Sequence, residues 1–133
     1  MAATDSVMRT TLIVSLFLSA ILSVTASAQV TLKRGAVVYT GSAANTTAPA
    51  TVDEKKLHAS TPEWQKIKDQ GIDPHSAQGR HLITRMNTRI SKAVKSVADA
   101  ESKDLVTRKK DMKDDRGRTV TDLTSKVVAK IKE

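Results

Sequence analysis

The chain has 133 residues, with 22 Lys and Arg against 14 Asp and Glu, a net charge of +8, and no cysteine. That length limits it to one small domain, and the absence of cysteine excludes a disulfide-stapled scaffold, thiolate metal sites and a lipid-anchored N-terminal cysteine. A positive balance of this size favours acidic partners or anionic surfaces.

Taken in order, the chain opens on an uncharged apolar run, Thr11 to Val24, preceded by Arg9 and followed by Ala26-Ser27-Ala28. Small residues at the two positions a signal peptidase reads predict a signal peptide over residues 1–28, cleaved after Ala28. The alternative is a membrane anchor, but the run is shorter than the roughly 20 apolar residues a bilayer span needs. Cleavage leaves 105 residues and removes Asp5 and Arg9 together, so the net charge stays at +8. Those 105 residues hold ten Val, five Ile, five Leu and no Phe, a thin supply for a core beside that charge. Self-association, with each chain's apolar stripe covered by its copies, is the expected remedy.

Residues 29–49 contain one candidate strand, Ala36 to Tyr39, and then run into Gly, Ser, Ala, Asn, Thr and Pro, the composition of a flexible linker. Asn45-Thr46-Thr47 matches a glycosylation acceptor, a short pattern that arises often by chance. Ala50 to Asp53 reads as a brief extended piece, followed by Glu54 to His58. Ser60 or Thr61 then caps a helix with Pro62 in its first turn and Glu63 at its positive end, and Gly71 and Asp73-Pro74 stop it.

The next helix begins near Ser76 and is the centre of the domain. Its apolar residues Ile83, Met86, Ile90, Ala93, Val97 and Ala100 recur at steps of three and four, with Leu82 and Val94 beside them, so Ile83, Met86, Ile90, Val94 and Val97 mark a core or oligomer stripe. The helix is expected to run to about Ser102, antiparallel to the preceding one as a helical hairpin. Leu105-Val106-Thr107 then reads as a β-branched strand, Lys109 to Arg118 as a charged turn pivoting on Gly117, and Thr119-Val120 as a second short strand returning beside the first. Thr121 or Asp122 caps a final helix with Leu123, Val127 and Ile131 on one face and Lys126, Lys130 and Lys132 toward its negative end. The predicted order is strand, helix, helix, strand, strand, helix, an α+β fold of short strands with a helical hairpin and a C-terminal helix.

Opposite the stripe, Arg85, Arg89 and Lys92 lie at steps of four and three, with Arg80 and Lys95 nearby. They form either a client- or polyanion-binding strip or a solvated face that keeps the chain soluble. His58, His75 and His81 are irregularly spaced, so no metal or other cofactor is expected. No nucleophile elbow, flanked pair of acids or glycine-rich phosphate loop is present, and a non-enzyme is expected. With Tyr39 and Trp64 the aromatic residues left after cleavage, there is no stacking platform for nucleic acid.

Several of these stretches carry a resemblance. Ala50-Thr51-Val52-Asp53-Glu54-Lys55-Lys56-Leu57, then Arg89 to Ala98 (RISKAVKSVA), then Asp104-Leu105-Val106, then Thr121-Asp122-Leu123-Thr124 with Val127 and Ile131, are similar to the OmpH/Skp family of periplasmic chaperones. The resemblance covers residues 50–133. It implies a homotrimer in which a small β body is surrounded by helices, and a holdase for unfolded outer-membrane proteins in the periplasm. Between Trp64 and Arg80 there is room for only a short helix and a loop, so the family's long coiled-coil arms are missing from this chain. The expected function is a periplasmic holdase. The alternative is a non-enzymatic envelope protein on anionic surfaces such as lipopolysaccharide.

Overall fold

In the computed structural model, which describes residues 30–133, the chain is of the α+β class. The expected leader over residues 1–28 lies outside the described residues. The chain order is β1 (Thr31–Leu32), β2 (Val38–Gly41), a 3-10 turn (Ala43–Asn45), β3 (Pro49–Val52), α1 (Glu54–Ala59), α2 (Pro62–Asp69), α3 (Ala77–Ala100), β4 (Leu105–Arg108), β5 (Met112–Asp114), β6 (Thr121–Asp122) and α4 (Thr124–Ile131).

Local chemistry sets most of the helix ends. Asp53 closes β3 and accepts the backbone N–H groups of Lys55 and Lys56, which starts α1, a helix with no counterpart among the expected elements. Thr61 caps α2 at the N–H of Trp64, with Pro62 leading the first turn, as expected. Ser76 caps α3 at the N–H of Gly79. The bend between the hairpin helices is so close that a Cβ on Gly79 would stand 2.0 Å from the Asp73 carbonyl oxygen, and only glycine fits. At 24 residues, α3 is about 36 Å long. It ends at Ala100, before the expected Ser102. Ser102 takes a left-handed φ of 54°, and Lys103 N–H bonds back to the Ala98 carbonyl at 2.8 Å, which closes the helix before Asp104 is reached.

The larger sheet has the order β2-β4-β3-β6. β3 runs parallel to β4, with Ala50 opposite Val106, and parallel to β6, with Ala50 opposite Thr121, while β2 pairs antiparallel to β4. The expected return of residues 119–120 beside the first strand of that pair is therefore corrected. β6 begins at Thr121 and lies on the far side of β3, because the backbone N–H of Leu123 bonds to the Thr51 carbonyl at 2.9 Å and draws the segment there. The expected charged turn also holds β5, which pairs with β1.

The reading of residues 29–49 as a flexible linker is corrected as well. From Val30 onward the segment carries β1, β2 and the 3-10 turn, and the expected strand over 36–39 is shifted to 38–41. What orders so polar a stretch is a set of distant carboxylates. Asp104 accepts the Thr46 hydroxyl, the Thr47 N–H at 2.7 Å and the Ala48 N–H at 3.0 Å. Asp111 accepts the Val37 N–H at 2.8 Å while Arg108, itself bonded to Glu54 at 2.9 Å, donates to the same carboxylate. Burial pushes both acids up, but these donors outweigh it, and each is held below the ordinary carboxylate range. Burial pushes the half-buried Tyr39 phenol up to about 12, with the charge of Glu54 adding to the shift.

The core lies between α3 and the sheet, closed at one side by α4 and α1. Met86, Ile90, Val94 and Val97 are buried there with Val52, Val106, Leu57, Leu123 and Val127, while Ile83 is half-buried against them. Ala100, at the end of the expected stripe, is exposed, because the buried face turns onto Ala98 instead, while Leu82 and Ala93 are buried as expected. The stripe expected to be covered by other copies is thus covered within the chain, by strands and helices that sequence periodicity alone does not bring together. Among the described large apolar residues, Val38 on the edge strand β2 is the exposed one, at 42%.

Candidate binding groove

The middle of α3 carries its polar residues on the face away from the sheet. Thr84, Arg85, Thr88, Arg89, Lys92 and Ser96 follow one another at helical steps and form one wall of a groove of about 690 Å³. α4 reaches α3 because Val127 and Ile131 share its core, which sets Lys130 and Glu133 on the opposite rim. Glu63, from the first turn of α2, also lines the groove, and the buried Ala93 and Ile131 provide an apolar floor.

Ion pairing divides the charges of the groove into spent and unspent. Glu63 is buried, and Arg89 holds it with Nε at 3.2 and 3.1 Å from its two oxygens and Nη2 at 2.9 Å from Oε1. Burial raises the Glu63 carboxyl, but the Arg89 hydrogen bonds, its own backbone N–H and the charges of Arg89 and Arg85 overcome this and hold it below its usual range. The same contact raises the Arg89 guanidinium. Lys130 is paired with Glu133 at 2.5 Å. Arg85 and Lys92 form no ion pair among the described residues and stand exposed.

The two threonine hydroxyls of the wall are also committed. Thr84 donates to the Arg80 carbonyl at 2.9 Å and Thr88 to the Thr84 carbonyl at 3.0 Å, so each presents only oxygen lone pairs outward.

Of the five cations expected to form a binding face, the structure brings Arg85, Arg89 and Lys92 to the groove. Lys95 lies beside Lys92 on a shallower hollow, and Arg80 lines neither. Arg89 is at the groove but is engaged by Glu63. Sequence reading missed the contributions of Glu63, Lys130 and Ile131, whose approach to α3 is purely tertiary. The one available signal was Ile131 in the apolar register of the last helix, which implies that its neighbour Lys130 borders whatever Ile131 packs on. A second basic surface lies after β4, where Lys109, Lys110 and Lys113 surround a hollow of about 290 Å³. Among the described residues no three of His, Cys, Asp and Glu come together as a metal-binding group, and no helix is long and apolar enough to cross a membrane. Neither a family model, nor a curated protein, nor a solved structure matches the chain.

Proposed function

We propose that the protein is a non-enzymatic, holdase-type binding protein of the periplasm that takes up unfolded outer-membrane or envelope chains. The observation that carries this reading is the groove on α3, where two unpaired cations stand over an apolar floor. A surface of that kind offers attraction to charged residues and contact to apolar ones at once, as an unfolded chain requires. The resemblance of residues 50–133 to the OmpH/Skp family supports the same class of partner, and with it a homotrimer. The short α2, at eight residues, leaves no long arms to enclose a client, so uptake belongs to the outer surface of the body.

The test is the light scattering of an unfolded β-barrel client on dilution from denaturant. A molar excess of the protein suppresses scattering at low salt, and suppression weakens as salt rises because the attraction is partly electrostatic. Unchanged scattering at low salt removes the holdase reading. A second reading, a structural protein on anionic envelope surfaces such as lipopolysaccharide, is favoured by the lysine cluster after β4. Co-sedimentation with anionic vesicles but not with unfolded clients would select it. Molar mass in solution decides the trimer.

A further inference from the structure

We propose that the groove between α3 and the end of α4 is a docking site for acidic polypeptide segments, an assignment that rests on the reading of the protein as a binder of unfolded chains. Its charge is the first argument. With Glu63 neutralised by Arg89 and Glu133 by Lys130, the groove's remaining field comes from Arg85 and Lys92. Seven residues apart on one helix, their backbones are separated by about 10 Å. An unfolded chain in its common polyproline II conformation rises about 3.1 Å per residue with three residues per turn, so carboxylates three residues apart stand on one side of it and match the two cations.

The threonine hydroxyls separate a polypeptide from other anions. Because Thr84 and Thr88 give their protons to the helix backbone, their oxygens can only accept hydrogen bonds from a ligand. A peptide backbone brings N–H donors to these positions. A phosphate group carries only acceptor oxygens when fully ionised and has nothing to offer them. The floor points the same way, since Ala93 and Ile131, both almost wholly buried, leave an apolar surface too small for acyl chains. A volume of about 690 Å³ is within the roughly 300 to 1,000 Å³ of sites that hold small ligands.

The experiment measures fluorescence anisotropy of a labelled twelve-residue peptide with glutamates at i and i+3 among small apolar residues, titrated with the full-length protein. Its counterpart carries lysine in place of each glutamate. The acidic peptide is expected to bind at least tenfold more tightly than the lysine peptide. Arg85→Glu and Lys92→Glu, both at exposed positions, each weaken it tenfold or more with the circular dichroism spectrum unchanged, and Thr88→Val, which removes an acceptor at nearly constant shape, weakens it several-fold. Lys55→Glu, exposed on α1 and away from the groove, stays within twofold. Equal binding of the two peptides, or wild-type affinity in both charge-reversed variants, overturns the assignment, as does failure of the peptide to bind while anionic vesicles bind through Arg85 and Lys92. Suppression of client scattering that survives both reversals overturns the groove while leaving the holdase reading standing. Peptide binding without any suppression does the reverse.

Discussion

Arg89→Ala separates a structural cation from its neighbours, which periodicity alone cannot do. Read as one of a row of exposed basic residues, Arg89 would be worth less than about 0.5 kcal/mol on truncation. In the structure its guanidinium makes three contacts to Glu63, whose side chain is 5% exposed. Truncation leaves a buried carboxylate with Arg85 as its remaining nearby cation, and an unsatisfied buried acceptor costs about 1 to 3 kcal/mol. Arg89 is itself 40% exposed, so water screens part of the pair, and about 2 kcal/mol is expected. For a domain of this size that loss corresponds to a fall in melting temperature of about 8 to 16 °C. Lys95→Ala, exposed and without an ion pair among the described residues, serves as the control and changes stability by less than about 0.5 kcal/mol. Adding Glu63→Met to Arg89→Ala recovers part of the loss, because the buried charge goes with its partner. The sign with pH also follows. Glu63 is depressed in the folded protein, so the pair's stabilisation is complete above the unfolded carboxylate range near pH 4 and is lost as pH falls below it. Urea unfolding at pH 7 and at pH 3 measures both effects. Equal stabilities for Arg89→Ala and Lys95→Ala at pH 7 would refute the reasoning.

Ile90 is 2% exposed at the centre of the α3 stripe, so Ile90→Ala is expected to cost about 2 to 5 kcal/mol in thermal or urea unfolding; if the proposed trimer couples assembly to folding, the loss varies with protein concentration. Gly79→Ala removes a weak helix former yet lowers the melting temperature, because the added methyl group meets the Asp73 carbonyl at 2.0 Å; a rise of the size helix propensity alone supplies, about 1 kcal/mol, would show that the bend yields. Asp104, Asp111 and Asp122 are all held below the ordinary range, so the urea midpoint is flat above about pH 5 and falls as pH drops below 4, and Asp104→Asn shallows that fall; a midpoint constant from pH 6 to 2.5 would contradict the hydrogen bonds described.

What could be read from the sequence was what depends on neighbours a few residues away. Thr61-Pro62 and Gly71 bracket α2 because a cap, a fixed φ and a left-handed exit are local requirements. The period of α3 assigned Met86, Ile90, Val94 and Val97 to the core for the same reason. Residues 30–49 resisted because their composition is that of a linker, and their order comes from Asp104 and Asp111, more than 50 residues downstream. Thr121 and Asp122, expected to cap the last helix, form β6 instead and leave Leu123 at the cap position, although Asp122 still accepts the Thr124 N–H at 2.9 Å. That β6 would lie beside β3 could not be read from two residues of strand. Arg89 and Lys92 are indistinguishable as letters on one helix face. What separates them is Glu63 on another helix.

The parallel pairings of β3 also dictate an order of events during folding. Its partners arrive late, since Leu105 follows Pro49 by 56 residues and Thr121 follows Ala50 by 71. The α2–α3 hairpin, whose contacts are close in sequence, can form within microseconds of release, but β3 waits for both neighbours and for the slow closure of long loops. A chain emerging from a pore N-terminus first would therefore hold its future central strand unsheathed until Asp122 had passed, with helical content preceding cooperative structure. Chains truncated before Leu105 are expected to show helical circular dichroism without a cooperative melt, and chains truncated before Thr121 to remain vulnerable to proteolysis at β3.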